Sequence, residues 1–375
     1  MISHPHTSWH THPSTPQIPA GQILAQQIWL WVICIFIGLM VVVGGATRLT
    51  NSGLSITEWQ PIMGAIPPLN QTDWLIAFEK YKLIPEYLAE HADMNVETFK
   101  YIFWWEWSHR FLGRFVGILW FVPFVYFWAR KQIPQSYWGK FLILGILGGA
   151  QGALGWYMVM SGLIERTDVS QYRLAAHLGL AIFLLALSFW YALELGHMRR
   201  SQAGYAANIN APKISNNVIT RKRGPFAWFL LAIIFIQILL GALVAGTDAG
   251  MAYNTWPLMG DLFIPDGLYE LTPAWLSAFE NVTTIQFNHR ILAYFIIILV
   301  GIQAVFIYKN PANNKKLRRS LIWVKILLLL QIVLGIMTLL TFVQLHIALA
   351  HQIGAVLLLI ATINHVYKIA HEHLS

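Results

Sequence analysis

Four histidines stand where long apolar runs begin. His109 lies in EWSHRFLGR and His289 in QFNHRILAY, 180 positions further on. His177 lies in RLAAHLGLA and His351 in LAHQIGAVLLL. An ionisable side chain inside a membrane span is costly and usually faces a bundle interior with a partner. Two imidazoles facing each other across a four-helix bundle can ligate one porphyrin iron axially, so four of them point to two such places. Taken singly, each is read most simply as a packed or interfacial side chain; four at matching depths weigh against that. Zinc or copper is the other functional reading, and the sequence supports it poorly. The single cysteine, Cys34, sits in an apolar run. His346 precedes His351 by five residues, about 140° around a helix, so the two do not aim at one centre from a regular helix.

The neighbours of these histidines differ between the two halves of the chain. Glu106 stands one helical turn before His109, and Gln286 holds the same place before His289. A carboxylate one turn from an iron ligand can move protons, and an amide cannot. The first place therefore reads as reactive and the second as an electron-transfer or structural site. The plainer alternative is an acid favoured near a helix N-terminus. Arg110, Arg290 and Arg173, with Arg48, sit at the same rim. They are candidate partners for porphyrin carboxylates, because guanidinium offers planar, bidentate donors; interfacial snorkelling is the ordinary alternative. His4, His6, His10 and His12 lie in a polar tail, His371 and His373 end the chain, and His91, His197 and His365 have no counterpart in the other half.

The elements that must position these groups are membrane helices. Of 375 residues, 57% are hydrophobic and only 11% charged, against about 25% charged in soluble domains. Apolar runs long enough to cross about 30 Å of hydrocarbon fall near 28–47, 111–129, 141–160, 174–194, 226–246, 291–308, 320–342 and 345–367. The polar start lacks a basic segment before the first run, which reads as an uncleaved helix. Fourteen of the 25 basic residues lie in 130–140, 195–225 and 309–319, which hold no Asp or Glu, while 247–287 has five carboxylates and no Lys or Arg. The positive-inside rule then puts both termini in the cytoplasm. Topology explains the net charge of +8, so nucleic acid is not an expected partner. The long segments 48–108 and 247–287 would face outside. WLIAFEKYKLIPEYLAE at 74–90 reads as an amphipathic helix along the interface, or as a loop folded onto the bundle.

The chain also repeats itself. GGATRLTNSGLSITEWQPIMG at 44–64 aligns with GALVAGTDAGMAYNTWPLMG at 241–260, and Gly44, Thr50, Gly53 and Trp59 match Gly241, Thr247, Gly250 and Trp256 at an offset of 197. Gln151 and Gly155 match Gln331 and Gly335 at the offset of 180 that relates the His-Arg pairs. The expected fold class is an all-α integral membrane protein, its eight transmembrane helices forming two similar four-helix bundles by internal duplication. The divisions are a polar tail 1–26, an N-terminal half 27–195, a cytoplasmic linker 196–225 and a C-terminal half 226–375.

At these residues the sequence resembles the heme A synthase family, in its proteobacterial and mitochondrial branch. GGATRLTNSGLSITEWQPIMG, EWSHRFLGR, RLAAHLGLA, FNHRILAYF and LAHQIGAVLLL carry the resemblance, in order, over nearly the whole chain. It implies a b-type heme as cofactor of the C-terminal half, with axial ligands His289 and His351. It implies that the N-terminal half receives heme O near His109 and His177, and that the C8 methyl group becomes a formyl group, giving heme A. Glu106 matches the acidic residue of the family's E-x-x-H motif and would accept a proton. The implied setting is the cell inner membrane, in contact with lipid, a heme O synthase, terminal oxidase assembly factors and an unspecified electron donor or acceptor, with homo-oligomers conceivable. One departure stands out. Another branch carries a cysteine pair in the first outer loop, and residues 48–108 hold no cysteine.

Two rival readings remain at this point. A non-enzymatic membrane diheme cytochrome explains the paired histidines but not the Glu106/Gln286 asymmetry. A heme transporter is the other; each half has four spans, which makes the repeats parallel, and parallel repeats also occur in transporters.

Overall fold

Hydrocarbon offers no hydrogen bonds, so a spanning segment satisfies its own backbone by coiling into a helix. The computed structural model describes residues 18–60, 63–165, 168–207, 223–309 and 315–371. In chain order its helices are α1 (Ala20–Leu49), α2 (Gln71–Tyr81), α3 (Pro85–Glu90), α4 (Val96–Ala129), α5 (Gln135–Glu165), α6 (Gln171–Ala207), α7 (Arg223–Gly246), α8 (Ser277–Glu280), α9 (Val282–Tyr308), α10 (Lys315–Leu340) and α11 (Leu345–Ala370). Eight of them (all but α2, α3 and α8) are long and apolar enough to cross a membrane. The all-α multi-span class expected from the sequence is the one observed.

Several boundaries move. α1 begins inside the expected tail, and α6 runs to Ala207, through the first part of the 196–225 linker. The basic residues Lys213, Arg221 and Lys222, and the tail histidines, lie outside the described residues. α4 starts at Val96, so the outer segment read as 48–108 ends earlier and His109 stands well inside a helix. Its start is fixed by a capping box: the Asn95 side chain accepts from Thr98 N–H at 3.0 Å and Thr98 Oγ1 accepts from Asn95 N–H at 3.1 Å, which satisfies orphan helix donors. The expected single helix over 74–90 is two, because Pro85 lacks an N–H and opens a new first turn. α2 buries Trp74, Phe78 and Tyr81 against Phe99 and Phe103 of α4. The segment therefore folds onto the bundle, the second of the two readings above.

α1, α4, α5 and α6 contact one another in a closed ring, and α7, α9, α10 and α11 do the same. α1, α6, α7 and α11 also touch across the centre. Apolar burial does not drive association in lipid; close packing and interhelical hydrogen bonds do. Trp29, Leu30, Ile182, Leu185 and Leu359 fill the centre. At the end opposite the paired histidines, buried His365 ties three helices, with Gln303 Nε2 at 3.1 Å and Ser320 Oγ at 2.9 Å from its ring nitrogens. Glu194 serves α5 and α6 similarly, taking Trp190 Nε1–H at 3.1 Å and the ammonium of Lys140.

Arg48 is the clamp at the other end. Its guanidinium donates to Asp168 at 2.9 Å, to Asp248 at 3.0 Å and to the Ala245 carbonyl at 3.1 Å. It therefore joins α1 to the turns after α5 and α7. Arg48 is nearly buried while both acids are partly exposed, so solvent screens part of the attraction. Arg48→Ala is expected to cost about 1–3 kcal/mol, read as a lower thermal unfolding midpoint. Arg48→Lys should recover little of it, because an ammonium cannot serve three acceptors in fork geometry.

Candidate functional site

His109 projects from α4 and His177 from α6. Their ring centroids lie 6.4 Å apart, with the planes 77° apart. Two imidazole nitrogens each about 2 Å from one metal put the centroids roughly 6 Å apart, so the pair already has the span of axial ligands. On the other side His289 projects from α9 and His351 from α11, within electrostatic reach of each other.

Each ring rests against a glycine. A Cβ on Gly44 would lie 3.0 Å from His109, on Gly155 2.9 Å from His177, on Gly241 3.3 Å from His289 and on Gly335 2.9 Å from His351. A Cβ at Gly155 or Gly335 would force the ring to move, and one at Gly44 or Gly241 would crowd it by a few tenths of an ångström. Glutamines orient three of the four. Gln151 Nε2 lies 3.3 Å from His177 Nε2 and donates to its carbonyl at 3.0 Å. Gln237 Nε2 lies 3.2 Å from His289 Nδ1 and donates to its carbonyl at 3.0 Å. Gln331 Nε2 stands 3.4 Å from His351 Nε2. Met40, which matches Gln237 at the offset of 197, leaves His109 without such an amide. Nδ1 of His177 and of His351 is buried with no hydrogen-bond partner. Buried polar atoms are normally satisfied; a buried imidazole with one nitrogen left unpartnered between facing helices suits a metal ligand. Among the described residues no group of three or more His, Cys, Asp or Glu could hold a metal ion. A porphyrin needs only two axial ligands, so the donor set fits a heme.

Glu106 is 2% exposed, and both its oxygens are engaged. Arg110 donates from Nε at 2.9 Å and Nη2 at 2.6 Å to Oε1, while Ser55 Oγ at 2.8 Å and the Ile56 N–H at 2.7 Å donate to Oε2. Four donor atoms and no acceptor surround its two oxygens. Arg110 also donates to the carbonyls of Glu58 and Ile56, so the pair ties the first outer segment to α4. In the other half Arg290 donates to the carbonyls of Tyr253, Thr255 and Leu258, and Gln286 to that of Tyr253. Gln286 Oε1 and Arg290 Nε have no partner. Same scaffold, different charge: the carboxylate–guanidinium pair exists only beside His109. Arg173 lies over the Tyr157 ring at 4.6 Å and donates to its hydroxyl. His346 is exposed, as an interfacial side chain would be.

Sequence reasoning did not find Glu86 of α3. It is 4% exposed, lines a cavity of about 80 Å³ with Asn51, Glu90, Asp168 and Asp248, and its Oε2 has no partner. Burial first, then the Glu106 and Asp168 carboxyls, raise its proton affinity, Arg48 opposes and Glu90 adds, and the group is pushed up to about 8. The unfolded side chain lets go near 4.5, so between those values the folded state binds the extra proton and stability falls as pH rises. Glu86→Gln should flatten that window. Its gain over the parent, on the order of a few kcal/mol, is expected at pH 8.5 and should vanish near pH 4.5, in thermal unfolding at the two pH values.

Eight helices long and apolar enough to cross a membrane, with histidines on facing helices and a buried carboxylate beside one pair, define a polytopic all-α membrane protein. The family described as cytochrome oxidase assembly protein, COX15-CtaA, matches residues 27–363. The chain is 43% identical to the heme A synthase of Parvibaculum lavamentivorans over 91% of this chain and 93% of that one. It is 46% identical to that of Nitrosomonas eutropha over 90% and 91%, and 44% identical to that of Paracoccus denitrificans over 93% and 89%. The chain belongs to the heme A synthase family.

Proposed function

We propose that this chain is an oxidoreductase that converts heme O to heme A by oxidising the C8 methyl group to a formyl group for terminal oxidases. Heme O sits in the N-terminal half, with its iron near His109 and His177. In the C-terminal half His289 and His351 would hold a b-type heme, which would supply one-electron redox chemistry. The single observation that carries the reading is the asymmetry. Both halves offer a histidine pair cradled by glycines, but only the pair at His109 has a carboxylate, Glu106, one turn away.

Methyl to formyl is a four-electron oxidation, R–CH3 + H2O → R–CHO + 4 H+ + 4 e−, passing through an alcohol and a geminal diol that loses water, with the electrons leaving to an external membrane electron acceptor. Each oxidation releases protons, and Glu106, whose oxygens face only the donors of Arg110, Ser55 and Ile56, is the base. Taking a proton at Oε2 requires it to give up one of the donors there, so the Ser55 hydroxyl, which can turn and accept, is the partner that adjusts. Arg290 Nε, unpartnered and buried, is a donor for a porphyrin carboxylate in the second half. Arg110 is already spent on Glu106 and the loop. The basic segments put both termini in the cytoplasm and the paired histidines near the outer face of the inner membrane.

Co-expression with a heme O synthase in a host lacking heme A tests this. Membrane hemes are extracted and separated by chromatography with mass detection. Heme A or its hydroxylated precursor, absent with an empty vector, is the expected result. Hemes B and O alone, with the protein present and heme-loaded, would favour the diheme electron carrier, which two equivalent histidine pairs would also suit.

A further inference from the structure

Gly44 and Gly45 are neighbours on α1, yet they make room for different helices. The missing Cβ of Gly44 clears His109 of α4. A Cβ on Gly45 would fall 1.8 Å from Gln352 Oε1 of α11, where no rearrangement of a few tenths of an ångström would suffice. Gln352 follows His351 directly. Its Nε2 donates to the Val41 carbonyl at 2.8 Å, the carbonyl that helix geometry pairs with the Gly45 N–H. A short run of atoms thus leads from one histidine pair to the other. It goes from His351 to Gln352 through a peptide bond, from Gln352 to α1 through a hydrogen bond and a tight contact, and from Gly45 through Gly44 to the His109 ring.

The link is built once. At the offset of 197 that aligns the halves, Gly45 corresponds to Ala242; at the offset of 174 that relates His177 to His351, Gln352 corresponds to Leu178. Neither partner of that second pair offers a polar side chain. A side-chain amide at membrane depth has to be satisfied inside the protein, so it persists where it has a task. α1 and α11 meet across the centre of the molecule, between the two rings of helices.

We propose that Gln352 is a positioning residue that couples the two heme places, by tying the His351 turn of α11 to the Gly44–Gly45 turn of α1. Filling the first place with heme O then shifts the reduction potential of the heme held by His289 and His351. Coupling of this kind is reciprocal, so the oxidation state of the resident heme also biases substrate binding. The proposal rests on the two-site reading given under the proposed function.

The test uses the full chain, purified from a host without heme O synthase and from the same host supplied with one. The midpoint potential and low-temperature spectrum of the resident heme are recorded in both. In the parent, heme O loading is expected to shift the potential. In Gln352→Met, which keeps length but loses the donor, and in Gly45→Ala, which displaces the amide from the other side, both hemes stay bound and the shift is lost. A purely structural role for Gln352 would change heme content or the spectrum of the unloaded protein and leave the shift in place. The coupling is overturned if the parent shows no shift, or if either variant retains it. A parent that holds no heme dependent on His351 would sink the site assignment as well as the link; a shift that survives in the variants would sink only the link.

Discussion

Glu106→Gln is expected to keep the protein folded and heme-loaded while methyl oxidation falls by about 10²–10⁴-fold, the usual worth of a positioned general base. The second half shows why the variant should fold. There Gln286 and Arg290 hold the equivalent outer segment without a carboxylate, through the carbonyls of Tyr253, Thr255 and Leu258. Arg110 would keep its bonds to the Glu58 and Ile56 carbonyls. Breaking a buried ion pair by removing one charge commonly costs about 3–5 kcal/mol, but Gln keeps the shape and one acceptor oxygen, so the loss should be smaller. Extracted hemes should show heme O with at most the alcohol. Arg110→Gln removes both the loop tie and the guanidinium that faces Glu106, so it should lower turnover as well as thermal stability. Heme A production by Glu106→Gln at the parent's rate would remove Glu106 from the chemistry and leave it as a loop anchor.

The eight spans could be read directly from apolar run lengths, because hydrocarbon imposes one solution on the backbone. The histidine pairs and the Glu106/Gln286 difference could be read too, since repeat offsets line them up. The outer turns of α4 could not: aromatic and polar residues mix there, and only the packing of Phe99 and Phe103 under α2 makes that stretch helical core. The break at Pro85 is visible as a proline, but the helical spacing of apolar residues on both sides of it masks the boundary. Arg48 illustrates a deeper limit. Its position at the rim suited an anion partner, and the partners it has, Asp168 and Asp248, lie 120 and 200 residues away. Glu86 was invisible for the same reason, as the carboxyls that crowd it come from α4 and from the turn after α5. Gln151 and Gln331 stood out as repeat matches, yet their role needed the structure, and Gln237 stood out only once Met40 was seen opposite it.

That last difference bears on which half keeps its heme. Orienting partners hold a ligating imidazole in place, and losing one typically costs roughly 10–100-fold in metal affinity. Gln237 holds His289 and Gln331 stands at His351, so both rings of the second pair have an amide beside them. In the first pair only His177 has one, from Gln151, and Met40 is the residue that matches Gln237 at the offset of 197. A place that must accept heme O and release heme A needs a ligand that can let go; a resident cofactor needs two that do not. His351→Ala and His289→Ala are therefore expected to purify with less than about a tenth of the parent's resident heme, given that losing a ligand outweighs losing its orienting partner. His109→Ala and His177→Ala should keep that heme and fail to retain heme O. Met40→Gln should act in the opposite sense, tightening heme O or its product and slowing release. Pyridine hemochrome spectra of the purified proteins, with and without heme O synthase in the host, read all five. Loss of the resident heme from His109→Ala with retention in His351→Ala would reverse the assignment of the halves, and Glu106 would then stand beside the cofactor rather than the substrate.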